Sequence, residues 1–427
     1  MSGSRWPIGW IFALVIGLIA WVVFSKWQES DSGSVAPPPA AVADHANHAD
    51  HSAHAGHATA AAVAPIISTT FDPSGVLYAA EAKDDRVLVT VSRDAGRTFD
   101  APVILTPEAE SLDANGEARP KIAIGPGGEV LVSWTQRGSA PYTGNIRFAR
   151  STDGGRTFSA PVTVNDDGLP IGHRFDALGV APDGTVVLAW IDKRDLEAAT
   201  RAGGTYAGAA VYFATSRDGG ATFSVNRKAK DNVCECCRLG LAFEADSTPV
   251  LLWRDVLPGG IRDHVMMRVP ADGSTAPVHR VSHENWAIDA CPHHGPSLVI
   301  TPSSQRHHFA WFTGAESTGN AVFYAHTDDG GRTTSAPMRV GKGEFVGHPS
   351  LAIADGRLWL AWKEWRDDNT TEVFAMRSDD DGATWSTARR VAVAPGNSDR
   401  PYLMASGADV YLSWTDTTGL RVARINP

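Results

Sequence analysis

The chain has 427 residues and a net charge of -10 with no basic block, which excludes nucleic acid as a natural partner. Its 41 Gly and 26 Pro suit a turn-rich all-β chain, and 14 Trp is high for this length. The four Cys are clustered rather than scattered, which argues against a disulfide-stapled scaffold.

Trp6 to Phe24 is an almost unbroken apolar run without charge. At about 1.5 Å rise per residue it just crosses a bilayer core as a helix. Arg5 precedes it, and Lys26, Glu29 and Asp31 follow. The bias favours a cytoplasmic N-terminus. The expectation is a single-pass anchor over residues 1–27 in the inner membrane, with the C-terminal part in the periplasm. A cleaved signal peptide is the alternative, but Phe24-Ser25-Lys26-Trp27 is a poor cleavage context.

Residues 28–64 are Ala, Pro, Ser and His with almost no large apolar side chains, so they read as a flexible tether. His45, His48, His51, His54 and His57 recur every third residue, with Asp44 and Asp50 among them. A polyproline-II-like chain has three residues per turn, so all five imidazoles share one face. Neutral imidazoles at this density capture Cu, Ni or Zn. The alternative is a solvated linker.

From residue 65 to 427 one pattern repeats. A short strand leads through a turn such as Gly125-Pro126-Gly127-Gly128 into a second strand ending in an aromatic. Those aromatics are Tyr78, Trp134, Trp190, Trp253, Trp311, Trp362 and Trp414, at intervals that hold four strands, or one propeller blade. The pattern predicts a β-propeller of seven blades, or of six if the last repeat is not a blade. Arg400 to Asn426 has room for three strands, so residues 58–66 are expected to supply the last blade's outer strand and hide its edge.

The hairpins between third and fourth strands carry a sharper signal. Ser92 to Phe99 reads Ser-x-Asp-x-Gly-x-Thr-aromatic, as do Ser151 to Phe158, Ser216 to Phe223 and Ser378 to Trp385. Thr327 to Thr334 is a worn copy without the aromatic, and Asp272-Gly273 is more worn still. In such a turn Asp accepts backbone N–H bonds, Gly takes positive φ and the aromatic packs between sheets. With Asp94, Asp153, Asp218, Asp329 and Asp380 at their centres, these hairpins resemble the Asp-box repeat of bacterial neuraminidases. The resemblance covers residues 66–426 and implies a sialidase-like propeller with the boxes as structural turns. It does not imply sialidase activity.

The resemblance also implies that the starts of the first strands lie on the opposite face, around the channel. They align as Arg119-Pro120, Arg174-Phe175, Arg238-Leu239, Gly295-Pro296, His348-Pro349 and Arg400-Pro401. Arg119, Arg174, Arg238 and Arg400 thus form a ring that holds an anion or pairs with loop carboxylates such as Asp192, Asp195, Asp255, Glu364 and Asp416. Cys234-Glu235-Cys236-Cys237 and Cys291-Pro292-His293-His294 sit one blade interval apart in that ring, with His348 one blade further on. Cys234, Cys236, Cys237, Cys291, His293, His294 and His348 are therefore expected to converge. Thiolate with imidazole suits copper, with zinc as the alternative. Disulfides or inert thiols are the other readings.

The favoured function is thus a metal-binding, periplasm-facing propeller that stores, senses or delivers copper, its partners being the membrane, the metal ion and a membrane metalloenzyme or transporter. A sialidase-like glycosidase is one alternative. The resemblance would then give Arg174, Arg238 and Arg400 to an arginine triad, with Tyr402 and Glu364 as partners, although the family's Phe/Tyr-Arg-Ile-Pro motif is absent. The other alternative is a protein-binding platform for assembling a membrane complex.

Overall fold

The computed structural model describes residues 64–270, 276–343, 345–396 and 398–426. The predicted anchor and the His-rich segment lie outside these residues, as does Asp272-Gly273. No helix among the described residues is long and apolar enough to cross a membrane.

The chain folds into seven antiparallel sheets in sequence order, six of four strands and one of three. They span residues 66–104, 121–163, 173–233, 240–280, 297–340, 346–395 and 402–424. The first strand of each blade adjoins the first strands of its neighbours, and Ile66–Phe71 of the first blade adjoins Tyr402–Ser406 of the seventh. The ring is therefore a closed seven-bladed propeller.

Ile66 opens the innermost strand of the first blade, opposite Ala82, and not an outer strand of the last, while residues 58–63 of the expected outer strand lie outside the described residues. The seventh blade has three strands among the described residues. Thr415 Oγ1 donates to Pro65 O at 2.8 Å, which pins the incoming chain to the last blade.

The second strands are nearly continuous apolar runs, such as Val186–Asp192, buried along their whole length. Each is covered by the neighbouring blade on both faces, so the alternation of a half-exposed strand is lost. Trp134, Trp190, Trp253, Trp311 and Trp362 are the largest buried side chains. Each indole N–H finds a carboxylate: Glu110, Asp192, Asp255, Glu284 and Glu364 respectively. Tyr78 does not belong to that series. At the tryptophans' offset from the turn the first blade carries Glu81, while Tyr78 lies against Gly155 of the next blade's hairpin, where an added Cβ would sit 3.3 Å from its ring.

The repeated hairpins share one hydrogen-bond pattern. Ser92 Oγ bonds Asp94 at 2.8 Å and accepts from Gly96 N at 2.8 Å; Asp94 also accepts from Thr98 N at 2.8 Å and Thr98 Oγ1 at 2.7 Å. Asp153, Asp218 and Asp380 repeat it. The worn copy keeps it too, with Thr327 in place of Ser and Asp329 bonded to Thr333. The glycine is obligatory at Gly220, where φ is +84° and a Cβ would lie 2.6 Å from the Phe148 ring. These bonds, the Thr98 hydroxyl first, hold the Asp94 carboxyl down at about 2. Asp329 and Asp380 are likewise held at about 2, and Asp153 and Asp218 are also lowered.

Candidate metal centre

The segment Cys234–Cys237 links the outer strand Arg227–Val233 of the third blade to the inner strand Gly240–Phe243 of the fourth. It is anchored by Cys234 N donating to Arg254 O at 2.9 Å. Lys193, just before the helix Arg194–Arg201, forms an ion pair with Glu235. This lays the segment across the end of the fourth blade's second strand and turns its thiols inward. Cys234, Cys236 and Cys237 are 1–3% exposed, and their Sγ atoms lie within 4.8 Å of one another. Cys234 and Cys236 Sγ are 3.7 Å apart. All four cysteines are free. Cys291, on the next inter-blade segment, packs partly buried against the same apolar cluster, which includes Phe175, Leu239 and Trp253.

The electrostatics favour thiolate. Arg254 is 1% exposed and donates only to backbone oxygens: Arg262 O at 2.7 Å, Phe312 O at 2.8 Å and His294 O at 3.3 Å. The Nε atoms of Arg254 and Arg262 lack a hydrogen-bond partner among the described residues. Hydrogen bonds from Cys236 and Cys237 pull the Cys234 thiol well down against its burial, with Arg262 and Arg254 assisting. Burial pushes Cys236 up, and Cys234 raises Cys237, so the thiols titrate as one coupled group. Burial opposes the charge of Arg262, but the sulfurs of Cys234, Cys236 and Cys291 outweigh it.

The histidines do not join the three close thiols. His294 stacks on Phe312 with ring centroids 4.0 Å apart and lies 4.3 Å from the His348 ring. His348 Nδ1 is 3.8 Å from Glu117 Oε1. The His293 ring is 6.4 Å from Phe175. Blade spacing placed the thiols correctly but could not register a bulge. The pairing of Val346–Ala354 shifts between Gly347 and Ser350, and His348 within that bulge has φ +52°. Bulges re-aim side chains, and this one turns His348 into the channel. Burial keeps both imidazoles neutral, with His294 lowered to about 4 and His348 well below its ordinary value.

The arginine ring pairs with carboxylates other than those expected. Glu117, 2% exposed, receives Arg238 Nη1 at 2.6 Å, Gly295 N at 2.9 Å and Arg238 N at 3.2 Å, with Arg400 Nη1 at 3.8 Å. Burial alone would raise its pKa, but Arg238 and Arg400 hold it below the usual range. Arg119 pairs with Asp399, and Arg174 with Asp113. Asp192, Asp255 and Glu364 instead accept the indole N–H groups of their own strands. Asp195 accepts from Tyr212, and Asp416 from Thr418. Tyr402 lies under Arg400 and Arg119, whose guanidinium carbons are 4.5 and 5.2 Å from its ring centre, and its hydroxyl meets Arg400 Nη2. Burial lowers Lys121 and Lys363, also in the channel, to about 8.

Sequence reasoning missed Glu117, Arg254 and Arg262. Glu117 had a faint signal, an acid just ahead of Arg119-Pro120. Arg254 stands directly after Trp253 where other blades carry Thr, Ile, Phe or Lys. A second acid–histidine group, Asp167, His173 and Asp192, is also close-set, but Arg194 already bridges both of its carboxylates.

No protein-family model matches the chain, and no curated protein sequence does. Solved structures share its fold. A PL25 ulvan lyase is 10% identical over 84% of this chain and 91% of its own, with a TM-score of 0.53. The Hadza microbial sialidase Hz136 is 17% identical over 83% of this chain and 75% of its own, with a TM-score of 0.48. A GH93 α-L-arabinofuranosidase of Fusarium graminearum is 15% identical over 70% and 88%, also at 0.48. The neighbours are propeller glycosidases and lyases, and at these identities the likeness is one of fold.

Proposed function

We propose that this chain is a metal-binding propeller that holds copper(I) on its clustered cysteines for metal handling or delivery. The observation that carries the reading is the set of three buried, unbridged thiols within 4.8 Å of one another, with Cys291 beside them. Three or four sulfurs at this separation suit a soft ion, with zinc as the competitor. The charge of buried thiolates is expensive unless balanced, and Arg254 and Arg262, whose Nε atoms lack a hydrogen-bond partner among the described residues, supply the balance. The histidines of residues 45–57 fit the role of capture ligands, and Trp6 to Phe24 that of a membrane anchor, which would place the propeller in the periplasm beside a membrane metalloenzyme or transporter. X-ray absorption at the copper edge tests the centre. A first shell of sulfur alone is expected, and a shell of nitrogen and oxygen alone refutes it.

A glycosidase is the second reading. It is favoured by Tyr402, whose hydroxyl meets one channel arginine while a second covers its ring. It is disfavoured by Glu117, an internal carboxylate that already faces Arg238 and Arg400, and by Glu364, which is engaged by Trp362. Turnover of a fluorogenic sialoside, lost in Tyr402→Phe, would reverse the order of the two readings.

A further inference from the structure

The four cysteines are not equivalent. Cys234, Cys236 and Cys237 come from one short segment, are 1–3% exposed and form the close triangle. Cys291 comes from a different inter-blade segment, lies outside that triangle and is only partly buried. Residues 289–296 carry no strand, whereas Cys234 is fixed through its backbone to Arg254.

We propose that Cys291 is the exchange ligand through which copper(I) enters and leaves the buried triangle. The inference rests on the copper reading above. In the step, the Cys291 thiol loses its proton to solvent and its sulfur bonds copper as one bond from copper to the carrier breaks. The triangle sulfurs then replace the remaining carrier ligands and finally the Cys291 sulfur, each thiol releasing its proton to solvent as it bonds, and the freed Cys291 sulfur takes a proton back from solvent. Copper stays in the +1 state throughout, so no oxidant or reductant takes part. The carrier class is a small or protein-borne copper(I) complex.

The test is stopped-flow transfer from copper(I) bicinchoninate, whose visible band fades as copper leaves. Full-length protein with alanine at the five tether histidines confines uptake to the propeller. Cys291→Ser is expected to take up the same one copper per chain roughly tenfold more slowly or worse, because ligand exchange depends on access to sulfur. Cys291→Ala, checked by near-ultraviolet circular dichroism, separates this from misfolding. An unchanged rate overturns the proposal. So does loss of copper from a folded Cys291 variant, since Cys291 would then be an essential ligand of the core. No uptake by the parent chain, folded and with four free thiols, would instead refute the copper reading itself.

Discussion

Replacing Glu117 by Gln perturbs the channel at its most connected point. The carboxylate accepts from the Arg238 guanidinium and from two backbone N–H groups, and Arg400 lies 3.8 Å away. Gln can keep its oxygen on the two backbone N–H groups but then turns its NH2 toward Arg238 Nη1, leaving at least one buried donor unmatched at about 1–3 kcal/mol. It also leaves Arg238 and Arg400 buried without their counter-charge, and breaking a buried pair from one side costs about 3–5 kcal/mol. The loss of counter-charge is the larger effect, so a loss of about 3–5 kcal/mol is expected in urea unfolding at neutral pH. The pH dependence has a definite sign. Glu117 titrates below its ordinary value of 4.5, so its contribution is present above that pH and fades as pH falls through the lower folded value. The gap between the parent and Glu117→Gln should therefore narrow in acid. A loss below about 1 kcal/mol at neutral pH, or a gap that widens in acid, would refute the view that Glu117 organises the channel.

Gly208→Ala should destabilise by about 1–3 kcal/mol in the same assay, because a residue forced into a left-handed conformation is strained. Gly208 has φ +68°, and its Cβ would lie 2.2 Å from Val233 O, at the threshold of the thiol segment. The combined variant Asp94→Asn, Asp329→Asn, Asp380→Asn should melt lower at neutral pH and respond less to acid. These carboxyls are depressed from 3.8 to about 2, so the parent loses their contribution as pH falls across that window. Thermal melts across that range check it. Cys291→Ser should slow copper transfer and leave its stoichiometry unchanged, by the stopped-flow assay above.

Much of the fold was legible because it is periodic. The tryptophan interval gave seven blades, and the Ser-x-Asp-x-Gly-x-Thr hairpins formed as their turn chemistry requires. Tyr78 was misplaced because an aromatic near a strand start looks like one near its end unless it is counted from the turn; the counted position is Glu81. The site was half legible. Blade spacing brought Cys291 beside the Cys234–Cys237 segment, since equivalent inter-blade links are neighbours. His348 went elsewhere because a bulge and a positive φ turn it toward Glu117, and His294 stacks on Phe312 instead; spacing alone carries no record of either. The carboxylate partners of the arginines were missed for a related reason. Asp192, Asp255 and Glu364 are each two residues past a tryptophan, close enough for the indole to take them first.

The most direct test of the central claim is a joint count of copper and free thiols on protein purified without air, with alanine at the five tether histidines. The account predicts one copper(I) per chain and thiols that stay masked until a chelator removes the metal. Four reactive thiols that take up neither copper nor zinc, or a chain whose cysteines are paired as disulfides, would contradict it.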